Sequence, residues 1–113
     1  MAYSENIADR IRAELSDVEN VIEKKMFGGL AFLINGKMSL TVGSSRIMCR
    51  VGALGYDKLL LKPGAKKVVM GGKIYKGYIY VDEKAITIKK QLQFWISLAL
   101  QFNTEITRKQ ISP

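Results

Sequence analysis

Leu30-Ala31-Phe32-Leu33-Ile34-Asn35-Gly36-Lys37-Met38-Ser39-Leu40-Thr41-Val42 is the stretch on which the fold turns. Two runs of strand-forming residues flank Asn35-Gly36, the dipeptide best suited to the paired left-handed residues of a two-residue hairpin turn. Such a turn pairs Ile34 with Lys37 and, stepping outward, Leu33 with Met38, Phe32 with Ser39, Ala31 with Leu40 and Leu30 with Thr41. The chain then passes through Gly43-Ser44-Ser45 into Arg46-Ile47-Met48-Cys49-Arg50-Val51. A tight turn at Gly43-Ser44 sets Leu40 opposite Ile47 and Met38 opposite Cys49. Partners across a ladder share a face, so these registers predict an apolar core face of Ala31, Leu33, Met38, Leu40, Val42, Ile47, Cys49 and Val51.

The opposite face is half apolar and half basic. Leu30, Phe32 and Ile34 form a stripe beside Lys37, Ser39 and Thr41 on the second strand and Arg46, Met48 and Arg50 on the third. An exposed stripe of that kind needs a cover. The segment 21–27, a helix or a partner subunit can each supply one. A homodimer formed through the sheet needs no further chain, which makes Leu30, Phe32 and Ile34 the candidate interface.

Working outward, Ser4 is placed to cap a helix from about Ser4 to Leu15, with Ile7, Ile11, Leu15 and Val18 at helical spacing and acids near its positive end. Val21-Ile22 begins a short extended segment, punctuated by Gly28-Gly29. Beyond Gly52, residues 54–61 read as a short helix with Tyr56, Leu59 and Leu60 inward and Pro63-Gly64 as its stop. Residues 66–70 are extended, and Gly71-Gly72 turns the chain. Residues 74–81 are a strand, with Tyr75, Gly77, Ile79 and Val81 on one side and Ile74, Lys76, Tyr78 and Tyr80 on the other. Thr87 opens an amphipathic helix that aligns Ile88, Leu92, Trp95, Ile96, Ala99 and Phe102. Residues 1–106 thus make a single domain, and 107–113 a polar, frayed tail. The fold class is α+β: an antiparallel sheet layered with helices.

At 113 residues, 48% of them apolar, the chain has enough material for a core without disulfides, and Cys49 is the lone cysteine. There is no histidine. A His-assisted nucleophile or a zinc site therefore cannot be assembled within one chain, and neither a metal nor a cofactor is expected. No apolar run reaches the length of a membrane span, and the start lacks the basic and apolar blocks of a secretion signal, so the cytoplasm is the expected compartment. The net charge of +8 is unevenly spread. Up to Glu23 six acids face Arg10 and Arg12, whereas from Lys24 to Lys90 fourteen Lys or Arg face only Asp57, Asp82 and Glu83. A central positive field suits acidic proteins or phosphate polymers.

The opening Met1-Ala2-Tyr3 and its acidic helix, the block Lys24-Lys25-Met26-Phe27-Gly28-Gly29 and the strand Leu30 to Gly36 resemble the N-terminal domain of the TfoX (Sxy) family. Arg50-Val51-Gly52, Pro63-Gly64, Met70, Lys76-Gly77-Tyr78-Ile79-Tyr80-Val81 and Leu92-x-x-Trp95 follow in order, so the resemblance spans nearly the whole chain. It implies a two-layer arrangement similar to secretion-chaperone-like folds, in the order helix, three strands, helix, two strands, helix. It also implies a bacterial, non-enzymatic regulatory module related to a competence regulator that works with the cyclic-AMP receptor protein. The resemblance does not extend to that family's C-terminal domain, and it supplies no catalytic residues.

Three motifs that invite chemistry are discounted. Gly36-Lys37 and Gly72-Lys73 lack both the upstream glycine and the following Ser or Thr of a phosphate loop, so they are turns. Cys49, on the core face, is an apolar filler. Trp95 belongs to the core. The candidate polyanion-binding set is Lys37, Arg46, Arg50, Lys76, Tyr78 and Tyr80, placed by alternation on the outer face of the sheet, where cations and aromatic rings together suit bases and phosphates. The principal functional reading is a regulatory module acting through protein–protein contacts. The alternative is direct nucleic-acid binding through the basic face, and a small-molecule enzyme is the least supported.

Overall fold

The structure, a computed structural model, describes residues 3–26 and 28–111. Phe27 of the Lys-x-Met-Phe-Gly-Gly block, the Met1-Ala2 opening and the last two residues of the expected tail lie outside that description. The elements run α1 (Glu5–Glu14), β1 (Val21–Met26), β2 (Gly29–Ile34), β3 (Lys37–Val42), β4 (Arg46–Arg50), α2 (Tyr56–Leu59), β5 (Ala65–Met70), β6 (Lys73–Asp82), a 3-10 turn (Glu83–Ala85) and α3 (Lys89–Ile111). The order of helices and strands is the expected one, with β1 a full strand at the front of the first group. All strand pairings are antiparallel, in one six-stranded sheet ordered β1-β2-β3-β4-β6-β5.

Each helix forms for a local reason. Ser4 Oγ accepts the Ile7 N–H at 3.2 Å, capping α1, which buries Ile7, Ala8 and Ile11 against the sheet. Gly55, with φ +77°, confines α2 to a single turn, so Leu54 and Leu61 stay exposed while Tyr56 is buried. α3 begins just beyond Thr87, where the Gln91 side chain reaches back to accept the Ile88 N–H at 3.2 Å. Leu92, Trp95, Ile96 and Ala99 pack inward, and the helix runs to Ile111, beyond Ile106.

Asn35 and Gly36 have φ of +55° and +78°, as the hairpin turn requires. Ile34 opposes Lys37 and Leu33 opposes Met38. Then a β-bulge intervenes: Phe32 opposes Leu40, Ala31 opposes Thr41 and Leu30 opposes Val42, leaving Ser39 as the extra residue. One added residue reverses the parity of everything beyond it. Leu30, Phe32 and Ile34, the candidate interface, are therefore core residues, only 4%, 0% and 2% exposed. They join Leu40, Val42, Ile47, Cys49, Ile79 and Val81 beneath α1 and α3. The chain's own helices cover the stripe, so these three side chains are not an exposed interface.

The β3–β4 register also differs, with Leu40 opposite Cys49 and Val42 opposite Ile47, because the connection runs through Gly43, Ser44 and Ser45. That shift is even, so the shared face of these residues is unchanged.

Candidate functional site

With the helices on one side, no described helix covers the other side of the sheet. β4 and β6 pair Arg46 with Asp82, Met48 with Tyr80 and Arg50 with Tyr78, alternating with the core pairs Ile47–Val81 and Cys49–Ile79. Four of the six candidate polyanion-binding residues, Arg46, Arg50, Tyr78 and Tyr80, thus stand together on the uncovered face. The Arg46 guanidinium lies 3.5 Å from the centre of the Tyr80 ring. That of Arg50, the last residue of β4, lies 5.5 Å from Tyr78 and 5.4 Å from Phe102 of α3, so Arg50 stands at the strand end that α3 reaches and not on the open face alone. These are cation–π distances.

Lys37 and Lys76 are elsewhere. Lys37 opposes the buried Ile34 and so belongs to the helix side at the hairpin end. Lys76 drops out because β6 does not alternate throughout. Tyr75 meets Tyr78 edge-on at 6.2 Å, and residues three apart in an unbroken strand face opposite ways. The break lies at Gly77, whose φ is +97° and whose carbonyl accepts both the Val51 and Gly52 N–H groups at 2.8 and 3.1 Å. A Cβ there would come within 3.2 Å of the Gly52 backbone. Tyr75 consequently joins the tyrosine row, with Lys73 Nζ 5.7 Å from its ring. A glycine inside a strand is the sequence signal for such a break.

The uncovered face is concave. One lateral row runs Lys24–Ala31–Thr41–Met48–Tyr80–Lys66 across all six strands. Ala31, Met48 and Val68 are 0%, 5% and 0% exposed yet lie outside the helix-side core cluster. In a flat sheet the edge strands of this row stand ~24 Å apart. Here Met26 of β1 and Met70 of β5 line the same hollow of about 90 Å³. The sheet therefore curls toward this side, sheltering a small apolar floor between rims that carry Lys24 and Lys66. Gly29 permits the tight path at one rim, since a Cβ would sit 2.3 Å from the Val42 carbonyl oxygen.

Among the described residues, the cations of this face make no ion pair. Among the described residues, the ion pairs are those of Arg12 with Glu5, Asp9 and Glu23, at 3.8, 2.7 and 2.7 Å on the far side. The carboxylate of Asp82, opposite Arg46, accepts the Lys84 N–H at 2.9 Å. Hydrogen bonds from Arg12 hold the Glu23 carboxyl below its ordinary range, and burial pushes the Cys49 thiol well above its own. Among the described residues no three His, Cys, Asp or Glu side chains gather as metal ligands, and no helix is long and apolar enough to cross a membrane. What the face offers is multidentate donors, planar cations and partly exposed rings.

Compared with known protein families, residues 13–103 match the model of the TfoX N-terminal domain. No curated protein and no solved structure matches the chain.

Proposed function

The chain belongs to the TfoX N-terminal domain family, and on that premise we propose that it is a non-enzymatic regulatory module of the bacterial cytoplasm that holds an anionic macromolecule against the concave face of its sheet. The family is one of non-catalytic regulatory domains. The observation that carries the reading is the pairing of Arg46 with Tyr80 and of Arg50 with Tyr78 on an uncovered surface, with no carboxylate partner within ion-pair distance among the described residues. With Leu30, Phe32 and Ile34 inside the core, the apolar reason for a protein contact there is gone, whereas the attraction for negative charge is intact.

The test is a titration with two generic polyanions, heparin and poly-glutamate, at low ionic strength, followed by backbone amide shifts. Perturbations should gather on β4 and β6, and the double variant Arg46→Ala/Arg50→Ala should weaken both interactions by about tenfold or more. Failure of both polyanions to bind, or binding indifferent to the two arginines, removes the concave face as the working surface.

A further inference from the structure

We propose that the occupant of the concave face is single-stranded nucleic acid, its bases stacked on the Tyr75–Tyr78–Tyr80 row and on the Arg46 and Arg50 planes, its phosphates held by lysines at the rims. The inference rests on the concave face being the working surface and goes beyond it by naming the chemistry of the partner.

Three observations select a single strand over other polyanions. The first is the pairing of cation with ring. Arg46 on Tyr80, Arg50 on Tyr78 and Lys73 beside Tyr75 give three such units in succession along β6. An acidic peptide needs the cations alone. Rings and guanidinium planes add attraction only for a partner with flat π-faces, and stacking with phosphate contact is how proteins hold unpaired strands.

The second is spacing. Tyr78 and Tyr80 are two residues apart on one strand, ~6.6 Å, roughly twice the ~3.4 Å rise between stacked bases of a duplex. Bases that occupy neighbouring rings must therefore be splayed from one another. A single strand can do this without breaking base pairs.

The third is shape. Duplex DNA is read by a convex element, a helix or two-stranded ribbon, entering its major groove. This face is hollow, the curl of the sheet bringing Met26 of β1 and Met70 of β5 to a common cavity, and so has the opposite shape to a convex reading element. The row from Lys24 to Lys66 has Ala31, Thr41 and Met48 as its floor. A strand laid along β4 and β6 meets the rings below and a lysine on either side. Both RNA and DNA strands present this chemistry, so the proposal covers either sugar.

The experiment is fluorescence anisotropy on the full chain with four labelled probes: a twelve-nucleotide oligo-U, the matching oligo-dT, a duplex of equal length and a poly-glutamate peptide. At least one single strand should bind about tenfold or more tighter than the duplex and the peptide. Tyr80→Leu and Tyr78→Leu, which keep apolar bulk but lose the π-face, should each weaken single-strand binding about fivefold or more and leave peptide binding unchanged. Tyr80→Phe should retain it. Arg46→Lys, which keeps the charge but loses the plane, should weaken single-strand binding while preserving the salt slope, and Arg46→Ala should reduce that slope. Thermal unfolding of each variant confirms that it is folded before its affinity is compared.

Equal or tighter binding of duplex overturns the inference, as does single-strand binding that ignores the two tyrosine variants. Poly-glutamate binding without single-strand binding overturns it too but leaves the concave face as the working surface. Binding of none of the four probes overturns both readings.

Discussion

The Phe32 ring is fully enclosed, with Leu40 across one ladder and Glu23 across the other, so truncating it opens a void that α1 and α3 cannot fill without moving. Phe32→Ala should cost ~3–5 kcal/mol in denaturant unfolding, while Leu33→Ala, half-buried on the other side, should cost clearly less. The reverse ranking would mean that Ser39 is not the bulge residue and that the parity of β2 is wrong. Glu23, on the same face as Phe32, has a different dependence. Its carboxylate accepts Arg12 Nε and Nη2 at 2.7 Å each, and these bonds lower its pKa. A carboxylate with a lowered native pKa contributes stability that is complete above its ordinary value of ~4.3 and is lost as pH falls through the native value. Wild type should therefore be more stable than Glu23→Gln at neutral pH, the difference closing in acid. A pH series of urea unfolding curves reads this, and a gap that persists below the native pKa refutes it.

Hairpins are the elements most legible in this sequence, and one of them shows where legibility ends. The turn at Asn35-Gly36 is local chemistry, so the dipeptide suffices to place it. Which face of β2 points inward is not local. Gly29-Leu30-Ala31-Phe32-Leu33-Ile34 is apolar on both faces because the strand is covered by helices on one side and by the curled sheet on the other, and alternation offers no choice there. Only the register decides, and Ser39, an ordinary strand residue by type, gives no warning of a bulge. β1 is hard to extend from Val21-Ile22 because Glu23, Lys24 and Lys25 are polar edge positions. The arginine–tyrosine grouping is legible because β4 and the end of β6 alternate regularly, whereas Lys37 and Lys76 fall where a bulge and the Gly77 break defeat alternation. A relay of amides also escapes sequence reading. Asn103 of α3, 3% exposed, donates to the Ile34 carbonyl at 2.8 Å and accepts from Asn35 Nδ2 at 3.0 Å, and Asn35 Oδ1 accepts from Asn20 at 3.1 Å. Asn103→Leu strips the hairpin tip of both bonds, so unfolding should show a loss of ~1–3 kcal/mol, with amide exchange accelerated at Asn35. Unchanged exchange there would detach α3 from the hairpin.

Across the molecule, the central cations have few carboxylates to pair with. Fourteen cations and three acids lie between Lys24 and Lys90, yet among the described residues the ion pairs all belong to Arg12. Surface pairs contribute little in any case, so the dominant electrostatic effect on folding is mutual repulsion of the central cations. At ~0.01 M salt the screening length is ~30 Å, comparable to the domain, and at ~0.1 M it is ~10 Å. Added salt should therefore raise the melting temperature by several degrees, about what ~1 kcal/mol produces in a domain of this size. Lys66→Glu at one rim should raise it at low salt and flatten the dependence. The same repulsion gives the bound state its signature: a polyanion on the concave face neutralises the cations that oppose folding, so heparin should raise the melting temperature most where salt is lowest, and much less for Arg46→Ala/Arg50→Ala. A heparin shift insensitive to salt would mean that charge is not what the face recognises.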